Sequence, residues 1–315
     1  MNTVFDQTYQ VLENAVLSCN SECLALSGGL DSTILAYFLQ SKKTRAIAII
    51  AKDFLANDLT YCQLAAKKFE LPLDIKFCDT NEIYAGIEET IKILKNFNDI
   101  EIRNNVVIYL ASASMKELGF NSIMTGDGAD ELFAGYSFFL NKNSEELEID
   151  LQRISKIMHF PSQKIGLALG IKVDSPFLSK NVIEFVKTVP VDLKVHAEGD
   201  RKFGKWVLRK TFENKIPKSI AWRQKSPMQD GAGTHGLAAF FDMAIPDSVF
   251  ISKIKKIKEN EGVTIRTKES LQYYEIYRKY NNLSKDEQYG IKCSDCKYLI
   301  EKDSKFCRMC GKFPL

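Results

Sequence analysis

Two short stretches of the chain carry side chains that could bind phosphate and a metal ion. SGGLDS (27–32) joins a glycine pair to two hydroxyls and an aspartate, and TGDGADELFAGY (125–136) places Asp127, Asp130 and Glu131 within five positions. Carboxylates this close disfavour joint ionisation unless a cation or hydrogen-bond donors compensate. Either these acids are solvated on a turn, or something positive binds among them.

SGGLDS has the composition of a phosphate-binding loop. Gly28 and Gly29 let the backbone turn tightly and approach an anion, and the amides that open the following helix attract the same anion. Ser27 and Ser32 add hydroxyls. Asp31 suits such a loop only if Mg²⁺ bridges its carboxylate to phosphate oxygens. The stretch predicts a phosphate and magnesium site, against the alternative of an ordinary glycine-rich turn.

Both stretches follow predicted strands. The apolar CLAL precedes SGGLDS and NSIM precedes TGDGAD, while AIAII and DIKFCD are further strand candidates. Strands that alternate with helices predict an α/β fold with a doubly wound parallel sheet, and the pattern becomes mostly helical from about residue 140. Ligands of such sheets bind beyond the carboxyl ends of the strands, so we expect the two loops to meet. Helices are predicted over residues 6–19, 58–71, 83–97 and 102–117.

Composition excludes several classes of protein. The 315 residues are 45% hydrophobic and 26% charged, as in soluble globular proteins. A net charge of +3 indicates no strong attraction to nucleic acid or to an anionic membrane. No apolar run approaches the roughly 18 to 20 residues of a membrane helix, and the first residues do not form a secretory signal. We expect a cytoplasmic protein with no membrane partner.

The C-terminal tail carries two CxxC pairs separated by ten residues. This spacing is typical of a four-thiolate zinc ribbon, and a redox CxxC motif would not explain two pairs. A segment this short has almost no apolar core, so a structural Zn²⁺ would supply its folding energy. We predict a main domain over 1–285 and a ribbon over 286–315, whose role is docking or stability rather than contact with nucleic acid. The predicted zinc ligands are Cys293, Cys296, Cys307 and Cys310.

These motifs resemble those of a known group of enzymes. SGGLDS resembles the pyrophosphate loop of the ATP-pyrophosphatase superfamily, which cleaves ATP between the α and β phosphates. TGDGADELFAGY is similar to GEGADELFGGY, a signature of the asparagine synthetase family. SPFL (175–178), KFGKWVLRKTF (202–212) and KIPKSIAWRQKSPMQDGAG (215–233) match later blocks of that family in the expected order. The resemblance covers about residues 20 to 240 and implies an adenine nucleotide alpha hydrolase-like fold.

The resemblance also implies roles for single residues. Asp31 and Asp130 would hold Mg²⁺ on the pyrophosphate of ATP. Lys225 would contact pyrophosphate and stabilise charge on the leaving group, Lys205 would lie near the phosphates, and Asp127 would accept a proton from the attacking amine. The implied nucleotide contacts are Leu26, Ser27, Gly28, Gly29, Asp31, Ser32, Ile50, Ala51, Thr125 and Gly126.

The chain departs from the family pattern at three positions. Asn2 stands where two-domain members carry a glutaminase cysteine, so we expect nitrogen from free ammonia, a separate glutaminase subunit or an amine on the substrate. Asp127 replaces a glutamate, which shortens the side chain by one methylene, roughly 1.5 Å. Asp174 replaces an arginine, which would reverse the local field and predicts an acceptor other than aspartate.

The sequence therefore predicts an amide-forming ligase that adenylates a small-molecule or carrier-borne carboxylate and transfers ammonia or an amine to it. The alternative is a transfer-RNA modifying enzyme of the same superfamily, in which the ribbon grips RNA. A third interpretation is a non-catalytic ATP-binding protein, suggested by the replacements at Asp127 and Asp174.

Overall fold

A five-stranded parallel sheet forms the centre of the computed structural model, which describes residues 3–224, 227–282 and 290–315. The strand order is β3-β2-β1-β4-β5, so the order reverses between β1 and β4. Helices cover both faces, and the predicted doubly wound α/β fold is confirmed. The strands are β1 (Cys23–Ala25), β2 (Arg45–Ala51), β3 (Leu73–Cys78), β4 (Ser122–Met124) and β5 (Lys172–Asp174).

Sixteen α-helices lie in the described part of the chain. Within it, no helix has the length and apolarity that crossing a membrane requires. The helices are α1 (Val4–Leu17), α2 (Leu30–Leu39), α3 (Leu59–Lys68), α4 (Thr80–Leu94), α5 (Asp99–Glu117), α6 (Ala129–Leu132), α7 (Ser144–Ile157), α8 (Pro161–Leu169), α9 (Lys180–Thr188), α10 (Val191–Lys194), α11 (Trp206–Phe212), α12 (Lys218–Ala221), α13 (Met228–Ala232), α14 (Gly236–Ala244), α15 (Asp247–Glu261) and α16 (Lys268–Tyr280).

The sheet separates two hydrophobic cores. In β2, Ile47 and Ile49 pack with α4, α5 and α16, whereas Ala46 and Ala48 pack with α1, α2 and α3 on the other face. Successive side chains of a strand point to opposite faces, and a strand buried on both faces is apolar throughout. The continuous AIAII run is therefore what a central parallel strand requires.

Two predicted helices begin earlier than their apolar pattern indicates. α4 begins at Thr80 rather than 83 because Asp79 accepts a hydrogen bond from the Glu82 amide and Glu82 bonds back to the Asp79 amide. α5 begins at Asp99 rather than 102 because Asn98 caps it through the Glu101 amide. Such caps satisfy amides that lack helical partners, so they set where a helix starts.

Three strands lie in the region predicted to be mostly helical. β5 pairs in parallel with β4. Its three residues are too few to show a periodic pattern in the sequence. A separate hairpin joins β6 (Val195–Glu198) to β7 (Arg201–Gly204). Its mostly exposed residues lack the apolar alternation that indicates a strand.

The C-terminal segment packs against the main body. Cys293, Cys296 and Cys307 belong to the same buried cluster as Phe97 and Tyr277. The Phe97 amide donates to the Met309 carbonyl at 2.9 Å and the Thr264 amide to the Asp295 carbonyl at 2.8 Å. The predicted boundary at residue 285 falls outside the described residues and stays a prediction.

Candidate nucleotide and metal site

The SGGLDS loop links β1 to α2 at the carboxyl edge of the sheet. Gly28 has a φ of +72°, and a Cβ there would lie 2.3 Å from the Tyr61 carbonyl carbon and 2.4 Å from the Cys62 amide nitrogen. The loop therefore packs directly on the backbone of α3, and only glycine fits. Ser27 Oγ accepts from the Gly29 amide at 3.2 Å, which closes the turn.

A left-handed backbone conformation costs a residue with a Cβ roughly 1–2 kcal/mol. Replacing Gly28 by alanine should lower the free energy of unfolding by more than this. The added methyl overlaps backbone that cannot rotate away. The measurement is the free energy of unfolding in urea. Gly119→Ala is the matched control, since Gly119 has a φ of +87° and no atom within 4 Å of the added Cβ. Equal losses for the two variants would contradict this account.

The second acidic loop follows β4 and meets the first one, as predicted. A Cβ on Gly126 would lie 3.1 Å from the Asp31 Cβ, so the two loops touch. The Thr125 amide donates to the Asp174 carbonyl at 2.9 Å, which continues the pairing of β4 with β5. Because the strand order reverses between β1 and β4, the loops flank the crevice where doubly wound sheets bind ligands.

A buried lysine joins the two predicted magnesium ligands. Lys205 Nζ lies 2.5 Å from Asp31 Oδ2 and 2.7 Å from Asp130 Oδ1, and its side chain is 3% exposed. Burial lowers the pKa of Lys205, but the two carboxylates outweigh burial and the net pKa is raised. Lys205 therefore stays charged and compensates the crowding of negative charge at this edge.

The donor set also fits a divalent cation. Asp31 Oδ1 is buried and has no hydrogen-bond partner among the described residues. Hard carboxylate oxygens are the ligands that Mg²⁺ prefers, and one or two of them suffice when a phosphate supplies others. Asp31 therefore has a carboxylate oxygen left for a cation while the other one is held by Lys205.

Tight turns hold Lys205 in place. Its backbone is left-handed, with a φ of 54°, and its amide donates to the Phe133 carbonyl at 3.0 Å. A Cβ on Gly135 would overlap Asp130 Oδ1 and the Lys205 Cε, and one on Gly204 would overlap the Ala134 carbonyl. The glycines of these two segments allow the lysine to reach the carboxylates.

Asp127 lies in a cage of hydroxyl groups. Its Oδ2 accepts from Ser162 Oγ at 2.5 Å and from Thr125 Oγ1 at 2.8 Å, and Thr125 Oγ1 lies 3.0 Å from Ser175 Oγ. Burial raises the pKa of Asp127, although hydrogen bonds from Ser162, Thr125 and Ser175 oppose the rise. Burial therefore favours the protonated form of this carboxyl more than exposure to solvent would.

Glu131 has a separate partner. Tyr136 Oη donates to Glu131 Oε1 at 2.5 Å, and burial raises the pKa of Glu131. Glu131 is therefore held by a side chain of its own loop.

The block at 215–233 is anchored beside the phosphate loop. Arg223 Nη1 donates to Asp58 Oδ1 at 3.1 Å, and the guanidinium lies 3.8 Å from the centre of the Tyr61 ring. The Asp58 amide donates to the Gly231 carbonyl at 2.9 Å. Lys225, predicted to contact pyrophosphate, lies outside the described residues, and its contact stays a prediction.

Arg209 is a structural position beside the site that sequence reasoning missed. The guanidinium is buried and donates to the carbonyls of Gly204, Ala221 and Arg223 at 2.9, 2.6 and 2.9 Å. It therefore ties the Lys205 turn to the segment that leads to residue 225. The sequence offered one indication of a buried charge, because Arg209 directly follows the apolar residues Trp206, Val207 and Leu208.

The predicted adenine-side residues lie at the carboxyl ends of β1 and β2. Leu26 continues β1, and its amide donates to the Ile47 carbonyl at 2.8 Å. Ile50 and Ala51 end β2, and all three side chains are buried. Their contact with a nucleotide stays a prediction, as does that of Ser32, whose Oγ lies 3.2 Å from Ser27 Oγ.

The side chain of Asp174 has two partners of its own. Its carboxylate accepts from Ser21 Oγ at 2.6 Å and pairs with Lys172 at 2.9 Å. Ser21 precedes β1, and neither partner belongs to the loops that carry the acidic site. Lys172 compensates part of the charge of Asp174, and the expectation that this position changes the acceptor stays a prediction.

The four tail cysteines converge on one point. Their Sγ atoms all lie within 4.8 Å of one another, with Cys293 to Cys310 at 3.7 Å and Cys296 to Cys307 at 3.5 Å. Sulfurs around a tetrahedral Zn²⁺ at about 2.3 Å are separated by about 3.8 Å. The cluster fits Zn²⁺ with all four positions filled by protein.

Several basic side chains of the tail are already paired. Lys305 lies 3.5 Å from Asp150, Lys312 lies 3.3 Å from Asp295, and Arg308 lies 2.8 Å from Glu301. Cations held in this way offer little free charge to a phosphate backbone. The arrangement therefore gives no support to the RNA-gripping alternative.

Comparison with known proteins agrees with the geometry. Residues 9–150 and 141–250 match the family described as asparagine synthase. A probable glutamine-hydrolyzing asparagine synthetase of Dictyostelium discoideum is 27% identical over 80% of this chain and 50% of its own length. Asparagine synthetase 2 of Oryza sativa subsp. japonica is 29% identical over 81% of this chain and 46% of its own.

Asparagine synthetase B of Escherichia coli (strain K12) is 26% identical over 90% of this chain and 55% of its own length. The chain thus spans about half the length of these relatives. The family match covers most of the chain and includes both acidic loops and the anchored block at 215–233. The chain belongs to the asparagine synthase family.

Proposed function

We propose that the chain is an ATP-dependent amide-forming ligase. A substrate carboxylate attacks the α phosphate of ATP, which gives an acyl adenylate and pyrophosphate. Ammonia or an amine then displaces AMP and forms the amide. The observation that carries the proposal is the meeting of the two loops around Asp31, Asp130 and Lys205 in a member of this family.

The residues divide the work between binding and charge compensation. Asp31 and Asp130 would hold Mg²⁺, which when bound neutralises phosphate charge. The Gly28–Gly29 turn and the first amides of α2 receive the phosphates. Lys205 supplies a positive charge beside them, and Lys225 supplies a second one by resemblance to the family.

Asp127 is the proposed proton acceptor, and Ser162 tunes it. Ser162→Ala removes a hydrogen bond to the carboxylate, so the pKa of Asp127 should rise further. A base acts when ionised, and activity is lost as pH falls through this pKa. The acidic limb of the pH profile of kcat/KM should therefore move to higher pH.

Ser155→Ala is the control for Ser162→Ala. It removes an exposed hydroxyl on α7 and should leave the acidic limb in place. An unmoved acidic limb in the Ser162→Ala variant would argue against Asp127 as the base.

The nitrogen donor and the acceptor are part of the same proposal. Ammonia, free or from a separate glutaminase subunit, is the proposed nucleophile, and the acceptor is a small or carrier-borne carboxylate. A structural Zn²⁺ at Cys293, Cys296, Cys307 and Cys310 is the proposed third cofactor beside ATP and Mg²⁺, and its role is to fold the tail against the main body.

Pyrophosphate release from MgATP tests the function. The assay is run with aspartate and ammonium, and then with a panel of other acids and amines. Release with one acid, together with an amide product, supports the ligase. Tight nucleotide binding without pyrophosphate release from any pair in the panel would show a non-catalytic ATP-binding protein instead.

A further inference from the structure

The strand β3 (Leu73–Cys78) forms one edge of the central sheet. Its six residues pair without interruption with β2, from Leu73 beside Ala46 to Cys78 beside Ala51. The strand contains no proline, and none of its residues has a positive φ. Natural proteins usually shorten, bulge or cover such edges, because the unpaired backbone can take up a further strand. β3 is therefore a regular edge on which another strand can pair.

The register shows which backbone groups of β3 point away from β2. At the two ends of the strand, the Pro72 and Cys78 carbonyls accept from the Ala46 and Lys52 amides of the β2 side. Because amide and carbonyl groups alternate in direction along a strand, every second residue from 72 to 78 faces β2. No strand of residues 3–224, 227–282 and 290–315 pairs with β3 on its other side. The residues whose backbone groups face that open side are Leu73, Ile75 and Phe77.

The side chains of β3 separate by chemistry onto the two faces of the sheet, since successive side chains alternate. Leu73, Ile75 and Phe77 share one face, and Phe77 is 49% exposed. Asp74 and Lys76 lie on the opposite face. An incoming strand would therefore meet an apolar row on one face and two opposite charges on the other.

Both charges have a partner in their own chain. Arg45 Nε lies 2.5 Å from Asp74 Oδ2, and Lys76 Nζ lies 2.6 Å from Glu82 Oε1. The four side chains are 31% to 43% exposed, so both pairs lie at the surface. A second strand with the same pattern can extend them into a row of alternating charges.

A second copy of β3 is such a strand, and one register fits it. With a two-fold axis at Ile75, Asp74 faces Lys76 of the second copy and Leu73 faces its Phe77. Opposite charges and apolar side chains then meet across the strands, and both kinds of pair are stabilising. An axis at Asp74 or at Lys76 would place that residue opposite its own copy, and like charges directly opposite are destabilising.

We propose that β3 is a docking edge for a second copy of this chain, which pairs with it antiparallel about Ile75 and joins the two sheets into one. The interface is the same patch on both chains, as in a two-fold dimer. In this register Ile75 exchanges both backbone hydrogen bonds with its own copy, as do Leu73 and Phe77 with each other. The inference does not depend on the ligase proposal, because none of the residues proposed to bind nucleotide lies on β3.

The mass of the full chain in solution is the first measurement. Light scattering should give twice the 35.7 kDa of one chain. The measurement is made at about 100 µM, where an interface with a Kd near 1 µM is mostly occupied. The mass of a single chain at that concentration overturns the proposal.

Two charge reversals test the register. Asp74→Lys places two lysines opposite each other, and Lys76→Glu places two acids opposite each other. The Kd of each variant alone should therefore rise about tenfold or more. Mixed in equal amounts, the two variants should form a heterodimer with a Kd close to the native value, because positions 74 and 76 then carry opposite charges in both pairs. This recovery also shows that both variants are folded.

The contrary outcomes are an unchanged Kd for either variant alone and a mixture that associates no better than its components. Either would contradict pairing about Ile75. Lys187→Glu is the matched control, since Lys187 is an exposed lysine paired with Glu184 at 2.8 Å on α9. It should leave the Kd unchanged.

A disulfide at position 75 gives a readout in space. Hydrogen-bonded residues directly opposite in an antiparallel pair have Cα atoms about 5.5 Å apart, within the range of about 4.4–6.8 Å that a disulfide spans. Mild oxidation of Ile75→Cys should therefore link two chains, beyond any linking of the native chain. Phe77→Cys is the control, because the two positions 77 would lie roughly 13 Å apart along the strands. Linked dimers from neither variant, or equally from both, refute the proposed pairing.

Discussion

Lys205→Met should lower the free energy of unfolding by about 3–5 kcal/mol, the usual cost of removing one partner from a buried ion pair. Lys205 Nζ lies 2.5 Å from Asp31 and 2.7 Å from Asp130, and the change leaves two carboxylates facing each other without compensation. Methionine retains the apolar stem, so the loss reports charge rather than volume. Urea unfolding in the presence of a chelator measures it.

Mg²⁺ should recover much of this loss. A divalent cation bound between Asp31 and Asp130 replaces the missing positive charge, and a ligand that binds only the folded state stabilises it. The midpoint of urea unfolding of Lys205→Met should therefore rise with Mg²⁺ concentration more steeply than that of the native protein. This coupling distinguishes a metal site from a purely structural ion pair.

Lys210→Met is the matched control for the lysine change. Lys210 lies on α11, five positions after Lys205. It pairs with Glu213 at 3.0 Å, but its side chain is 28% exposed. Such surface pairs contribute about 0–1 kcal/mol. If Lys205→Met cost no more than Lys210→Met, the two acids would not be held by this lysine in solution.

The meeting of the two acidic loops could be predicted because it follows from strand order. A loop after a parallel strand lies at the carboxyl edge of the sheet, whatever its sequence, and two such loops at adjacent strands must be close. The glycine pair and the acids then define the chemistry. Leu26, Ile50 and Ala51, which the family resemblance implies as nucleotide contacts, lie at the carboxyl ends of β1 and β2, and their contact with a nucleotide stays a prediction.

The partners of these acids could not be predicted, because they come from distant parts of the chain. Lys205 is 174 positions from Asp31, and Ser162 is 35 positions from Asp127. No local pattern links such pairs; only the packing of the Phe133–Gly135 turn against residues 204–205 does. The contacts of Asp174 with Ser21 and Lys172 were likewise not predicted from the sequence.

Short elements were missed for a related reason. β5 has three residues and forms because β4 offers it a parallel edge. Three residues carry too little pattern to indicate a strand from sequence. By contrast, the four cysteines could be interpreted from sequence because two CxxC pairs are specific for one tetrahedral ion, and their Sγ atoms do converge.

Cys307→Ser should release the tail from the main body. Metal binding supplies about 10–16 kcal/mol in small four-ligand zinc sites, which is far more than this short segment can gain by burial. Without the metal, we expect the tail to detach from Phe97 and Tyr277, with which Cys307 is now clustered. Zinc content should fall from one per chain to almost none. Cys19→Ser, at a free cysteine outside the cluster, should leave it unchanged.

Amide hydrogen exchange can locate the effect of Cys307→Ser. The Phe97 amide donates to the Met309 carbonyl and the Thr264 amide to the Asp295 carbonyl, so both depend on the tail for protection. The Ile102 amide, one turn further along α5, donates within its own helix to the Asn98 carbonyl. Phe97 and Thr264 should lose protection by several orders of magnitude while Ile102 retains more of it. Unchanged exchange at Phe97 and Thr264 in a zinc-free protein would mean that packing alone, and not the metal, holds the tail in place.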